Sequence, residues 1–65
     1  MDVTVEVVGE DTYTLEVTDA TYADLLAELD LSPHAVAVFV DGRPVPEDDP
    51  VDAREVRIVR LVRGG

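Results

Sequence analysis

Apolar and polar residues alternate from the start of the chain, with Val3, Val5 and Val7 set against Thr4 and Glu6. A period of two is the mark of a strand with one buried face. Gly9-Glu10-Asp11 interrupts the pattern, and it resumes with Tyr13, Leu15 and Val17 against Thr12, Thr14, Glu16 and Thr18. The two segments predict a β-hairpin closed by a short acidic loop with a mobile tip. The period then changes. Thr21-Tyr22-Ala23-Asp24 resembles a capping box with Asp in place of Glu, and predicts a helix start. Tyr22, Leu25, Leu26 and Leu29 follow at spacings of three, four and seven, a single apolar stripe, while Asp24 and Glu28 fall toward solvent. Leu31 closes that stretch. Ser32-Pro33 is expected to end it, because proline disfavours a helical residue before it.

Residues 35–40 predict the next strand, and Asp41-Gly42 is a strong turn signal. Arg43-Pro44-Val45-Pro46 can supply only a short edge strand, since proline brings no N–H to a ladder. Residues 47–52 read as an acidic loop and residues 55–61 as a last long strand, with Val56 and Ile58 on its buried face. The order strand, strand, helix, strand, short strand, long strand is that of an α+β β-grasp: a mixed sheet of four to five strands with one helix packed on one face. The first and last strands are expected to pair in parallel at its centre. Residues 1–62 are taken as the domain and 63–65 as a flexible tail, since the final glycines have nothing to pack and the most entropy to lose.

A chain of 65 residues supports one domain, and with no cysteine neither a disulfide nor a thiolate metal site can brace it. One histidine and no cysteine exclude the ordinary zinc arrangements and any nucleophile arrangement built on cysteine or on more than one histidine, and no catalytic residue, no metal and no bound cofactor are expected. Fifteen Asp and Glu against five Arg give a net charge of −10, which disfavours nucleic acid and anionic membranes as direct partners. Every basic residue is Arg, and Lys is absent. This composition is that of a halophilic protein whose carboxylates repel one another unless salt screens them within roughly 3 Å. No apolar run reaches the roughly 18 residues that cross a bilayer, and the start lacks a signal peptide's positive charge, so a cytoplasmic protein is expected; a monomer is expected as well.

Thr21-Tyr22-Ala23-Asp24-Leu25-Leu26, Leu31-Ser32-Pro33-His34, residues 40–48 and the ending Arg60-Leu61-Val62-Arg63-Gly64-Gly65 resemble the small archaeal ubiquitin-like modifier proteins, above all the haloarchaeal ones. These are relatives of ubiquitin and of the sulfur carriers ThiS and MoaD, and the likeness spans the chain. The resemblance implies that the C-terminal carboxylate of Gly65, reached through Gly64, is adenylated by a ubiquitin-activating-type enzyme that uses ATP. The carboxylate is then handed to target protein lysines or to sulfur-transfer and tRNA-thiolation enzymes. Because the chain stops at the second glycine, no processing protease is expected to be needed. A dedicated MoaD-like carrier for molybdopterin synthesis and a noncovalent interaction domain are the alternatives. Glycine suits such an end on physical grounds: without Cβ atoms the last residues pass a narrow channel, and each extended residue adds roughly 3.3 to 3.6 Å of reach. Lacking lysine, the chain cannot be extended through its own side-chain amines.

If Val36, Val38 and Val40 face the helix, then Ala37 and Phe39 face away, and the same parity sends Arg57, Val59 and Leu61 outward. Phe39, Arg57, Val59 and Leu61, leading to Arg63, are the expected partner-binding surface. The resemblance places ubiquitin's recognition patch on this same face. Arg54, Arg57, Arg60 and Arg63 recur every third residue, so they cannot share one side of a strand. Arg60 has the parity of buried Val56 and Ile58, which requires either that the strand has left the core or that a bulge resets the alternation. His34 reads as a solvated or capping residue, and the Glu47-Asp48-Asp49 run with Asp52 as solvated surface lacking the glycine of a calcium loop.

Overall fold

The computed structural model describes residues 1–61. Strand β1 (Asp2–Val7) pairs antiparallel with β2 (Thr12–Glu16); helix α1 (Tyr22–Glu28) follows, then β3 (Val36–Val40), β4 (Arg43–Pro44) and β5 (Glu55–Arg60). The five strands lie in the order β2-β1-β5-β3-β4. β1 and β5 run parallel at the centre, and every other pair is antiparallel. This is the β-grasp arrangement read from the alternation. Among the described residues, no helix is long and apolar enough to cross a membrane.

Turn chemistry explains both hairpins. Asp41 and Gly42 sit at φ 54° and 78° between the paired Val40 and Arg43, the double positive φ of a two-residue type I′ turn. Gly9 sits at φ 82° in the turn that Glu10 closes by donating its N–H to Val7 O at 2.9 Å. The inward residues Val3, Val5, Val7, Val36, Val38, Val56 and Ile58 meet Tyr22, Leu25 and Leu26 of the helix, and all are buried. Leu29, Leu31, Val45 and Val51 pack around that core.

The helix has seven residues, too few to be stable alone, so its ends decide whether it forms. Thr21 caps it in an extended conformation. Its Oγ1 accepts from Asp24 N at 3.3 Å, and Asp24 Oδ2 accepts from Thr21 N at 3.0 Å, so the capping box forms with aspartate. The next two free donors are met from elsewhere: Tyr22 N donates to Asp49 O at 3.1 Å and Ala23 N to Glu47 O at 2.7 Å. Val51 N reaches Ala20 O at 2.8 Å, and Thr21 bridges to Pro50. The acidic segment is therefore stitched by its main chain to the helix start, beyond the solvated surface expected of it.

The helix ends earlier than the proline predicts. Leu29 is the C-cap, Asp30 turns left-handed at φ 59°, and Asp30 N and Leu31 N donate to Ala27 O and Leu26 O at 3.1 and 2.9 Å. That is a Schellman motif, with Leu31 folded back onto the core in place of a further turn. Aspartate occupies the position glycine commonly takes, which is why the stop signal at Ser32-Pro33 looked like the first one.

Two further differences concern the sheet. Tyr13 lies opposite Val5, on the inward side, yet is 39% exposed, because β2 is the outermost strand and has a neighbour on one edge only. β4 is two residues long, half of the Arg43 to Pro46 stretch, and Val45 N is drawn to Val38 O at 2.9 Å.

Candidate functional site

The face of the sheet away from the helix carries a continuous cross-strand row. Thr12 lies opposite Glu6, Glu6 beside Arg57, Arg57 opposite Phe39, and Phe39 opposite Pro44. Phe39 and Arg57 are thus direct neighbours, as parity requires, and Val59 faces Ala37 in the next row. Arg57 Nε stands 3.4 Å from Glu6 Oε1. Both side chains are well exposed, so the pair contributes no more than about 1 kcal/mol and leaves the guanidinium accessible. Phe39, Arg57 and Val59 line an open groove of about 570 Å³ together with Thr4, Glu6, Thr12, Asp41 and Glu55. Those last five were missed in the sequence. The signal was present in the outward parity of Thr4 and Glu6, and needed only the β1–β5 register to bring them alongside Arg57.

One end of this face is apolar. β1 and β5 finish there and β3 begins there, which gathers Val8, Ala37, Val59 and Leu61. Val8 is 43% exposed and donates its N–H to Ile58 O at 2.9 Å; Leu61 is 63% exposed and donates to Ala35 O at 2.8 Å. Val8 escaped the sequence reading because it falls between the last inward valine and the Gly9 turn. Arg63, Gly64 and Gly65 lie outside the described residues.

Arg60 resolves the parity question. The β3–β5 register runs without a break from Phe39–Arg57 to Val36–Arg60, so no bulge intervenes. Arg60 stays on the helix side, exposed at the strand's end, and its Nε and Nη2 bond the two carboxylate oxygens of Glu10, the latter at 3.2 Å. The hydrogen bond to Glu10 first, and its charge second, raise the guanidinium pKa further. Arg57 and Arg60 therefore act on opposite faces.

Among the described residues no group of three His, Asp or Glu side chains is placed to hold a metal ion. His34 is exposed, with its N–H on Ser32 Oγ at 3.3 Å. Tyr22 is 2% exposed, and burial first, then the Asp52 carboxylate, raise its phenol above the ordinary value.

A five-stranded β-grasp with an outward platform beside the end of β5 has the build of a ubiquitin-like modifier. The comparisons with known proteins agree. The model of the small archaeal modifier protein 2 family matches residues 1–62. Small archaeal modifier protein 2 of Haloferax volcanii is 59% identical over 66 aligned positions that cover all of both chains. A protein of Archaeoglobus fulgidus is 39% identical over 51 residues, covering 78% of this chain and 76% of that one. The chain belongs to the small archaeal modifier protein 2 family. The crystal structure of the Haloferax volcanii protein superposes with a TM-score of 0.73 at 58% identity, over 97% of each chain. The ubiquitin-like domain of Plasmodium falciparum Dsk2 superposes at 0.67 with 23% identity, over 92% of this chain and 99% of that one, a likeness of fold alone.

Proposed function

We propose that this modifier works through the Gly65 carboxylate, carried by Gly64 and Arg63 as a tail on the domain formed by residues 1–62. An activating enzyme binds the platform of Phe39, Arg57, Val59 and Leu61, with Arg63 at the tail's root, and draws the glycines toward bound ATP. The carboxylate attacks the α-phosphorus and pyrophosphate leaves; an incoming nucleophile then attacks the acyl carbon of the adenylate and displaces AMP. A lysine amine gives an isopeptide-linked target. A sulfur donor gives a thiocarboxylate, and the protein then also serves as a sulfur carrier for tRNA thiolation.

The observation that carries this reading is membership of a modifier family by a chain whose sequence runs from the exposed Leu61 through Val62 into Arg63-Gly64-Gly65. The absence of lysine fits a donor that is not its own acceptor. The test is ATP-dependent ligation with the cognate activating enzyme. The full chain should form adenylate and conjugates, and a chain ending at Arg63 should form neither. Equal ligation by the shortened chain would end the proposal.

A further inference from the structure

The two edges of the sheet differ, and the difference points to a second binding mode. β4 is protected in the ways edges usually are, being two residues long and containing Pro44. β2, the other edge, has none of these protections: Thr-Tyr-Thr-Leu-Glu is regular, free of proline and rich in β-favouring side chains. The pairing phase shows which of its main-chain groups are unused. Met1 and Val17 exchange bonds at 3.1 and 2.9 Å, and Val7 N donates to Asp11 O at 3.0 Å. Alternation then makes Val3–Leu15 and Val5–Tyr13 the bonded pairs. The N–H and C=O groups of Thr12, Thr14 and Glu16 point away from the sheet, and no main-chain bond to them occurs among the described residues.

We infer that the β2 edge takes up an extended peptide segment with alternating apolar and basic side chains, as an added strand. A strand laid there sends alternate side chains to the two faces of the sheet. On the helix side they meet Tyr13, exposed, and Leu15, half-buried: an apolar strip. On the other side they meet Glu16 beside Asp2, and neither carboxylate has an ion pair among the described residues. Basic residues complement that face and the net charge of −10. The same charge works against a second copy as occupant, because pairing β2 with β2 brings two acidic chains together.

The test is a nuclear magnetic resonance titration of the full chain with a short, capped peptide of alternating valine and arginine. It is run at the lowest salt at which the protein is folded, and again at about 1 M. Shifts and slowed amide exchange are expected at Thr12, Thr14 and Glu16, with affinity falling as salt rises. A peptide with glutamate in place of arginine should bind at least about tenfold more weakly. Thr14→Pro removes an outward N–H while leaving the β1 ladder intact, and should weaken binding by at least about tenfold. Should that variant not fold, Tyr13→Ser, which strips the apolar strip, is expected to act in the same direction. The inference fails if the shifts map to Phe39 and Arg57, if those three amides are equally protected in a peptide-free dimer, or if no binding occurs.

Discussion

Replacing Thr21 by alanine tests how much of this fold hangs on one side chain. Thr21 Oγ1 accepts the Asp24 N–H and also lies 3.2 Å from Asp24 Oδ2, so alanine leaves one helix donor unmet and loosens the carboxylate that holds Thr21 N. Loss of an N-cap of this kind costs about 0.5 to 2 kcal/mol. The upper half of that range applies here, because the helix is only seven residues long and the start it caps also holds residues 47–51 through main-chain bonds of Ala20, Tyr22 and Ala23. Against the roughly 3 to 5 kcal/mol that a core of this size supplies, about 1.5 kcal/mol is a large share. At about 4 to 8 °C per kcal/mol for a small domain, the midpoint should fall by about 6 to 12 °C. Thermal unfolding followed by circular dichroism reads this directly, with Thr18→Ala, an exposed threonine outside the cap, as the control. Thr21→Ser keeps the acceptor oxygen and should recover most of the loss. Equal loss from serine and alanine, or no loss from alanine, would refute the reasoning.

Other consequences follow from the same geometry. In a Tyr13→Phe background, absorbance near the phenolate band reports Tyr22 alone, and its midpoint is expected above about 10. Since the folded-state value is raised, the stability from keeping that phenol neutral is complete below the unfolded value and drains away as pH rises through the folded one. A midpoint at or below the free-tyrosine value would contradict the burial argument. The melting temperature should climb with added salt, because a net charge of −10 is screened over about 3 Å at 1 M but only over about 10 Å at 0.1 M. A flat or falling response would remove halophilic adaptation from the account. Arg57→Ala should change stability by less than about 1 kcal/mol, its partner being an exposed Glu6, while weakening capture by the activating enzyme in a pull-down or titration. Undiminished capture would take Arg57 out of the docking surface.

The fold was legible in this sequence because its signals are local and mutually consistent: period two in Val3-Val5-Val7, a helical stripe from Tyr22, and Asp41-Gly42 at a tight turn. What was hidden depended on contacts between distant segments. Nothing local announces that the Glu47 and Asp49 carbonyls would complete the helix cap, so the segment looked merely acidic. The helix stop was misplaced because a left-handed aspartate imitates glycine without advertising it. On the candidate site, parity alone paired Phe39 with Arg57, whereas Val8 and Glu6 joined them only through the β1–β5 register. The Arg60 question could not be answered from spacing, since it turned on whether the β3–β5 register holds to the end of the strand and on the exposure of that end.

The claim on which the account rests is chemical: the terminal glycine carries the modifier to other proteins. Arg63 precedes the two glycines, so trypsin should leave a Gly-Gly remnant on every lysine joined to this chain. Mass spectrometry of tryptic digests from native cells is therefore the most direct measurement, set beside cells that carry the chain without Gly65. Remnant-bearing lysines that vanish in the truncated strain are predicted. An identical set of remnants in both strains, or none in either, would contradict it.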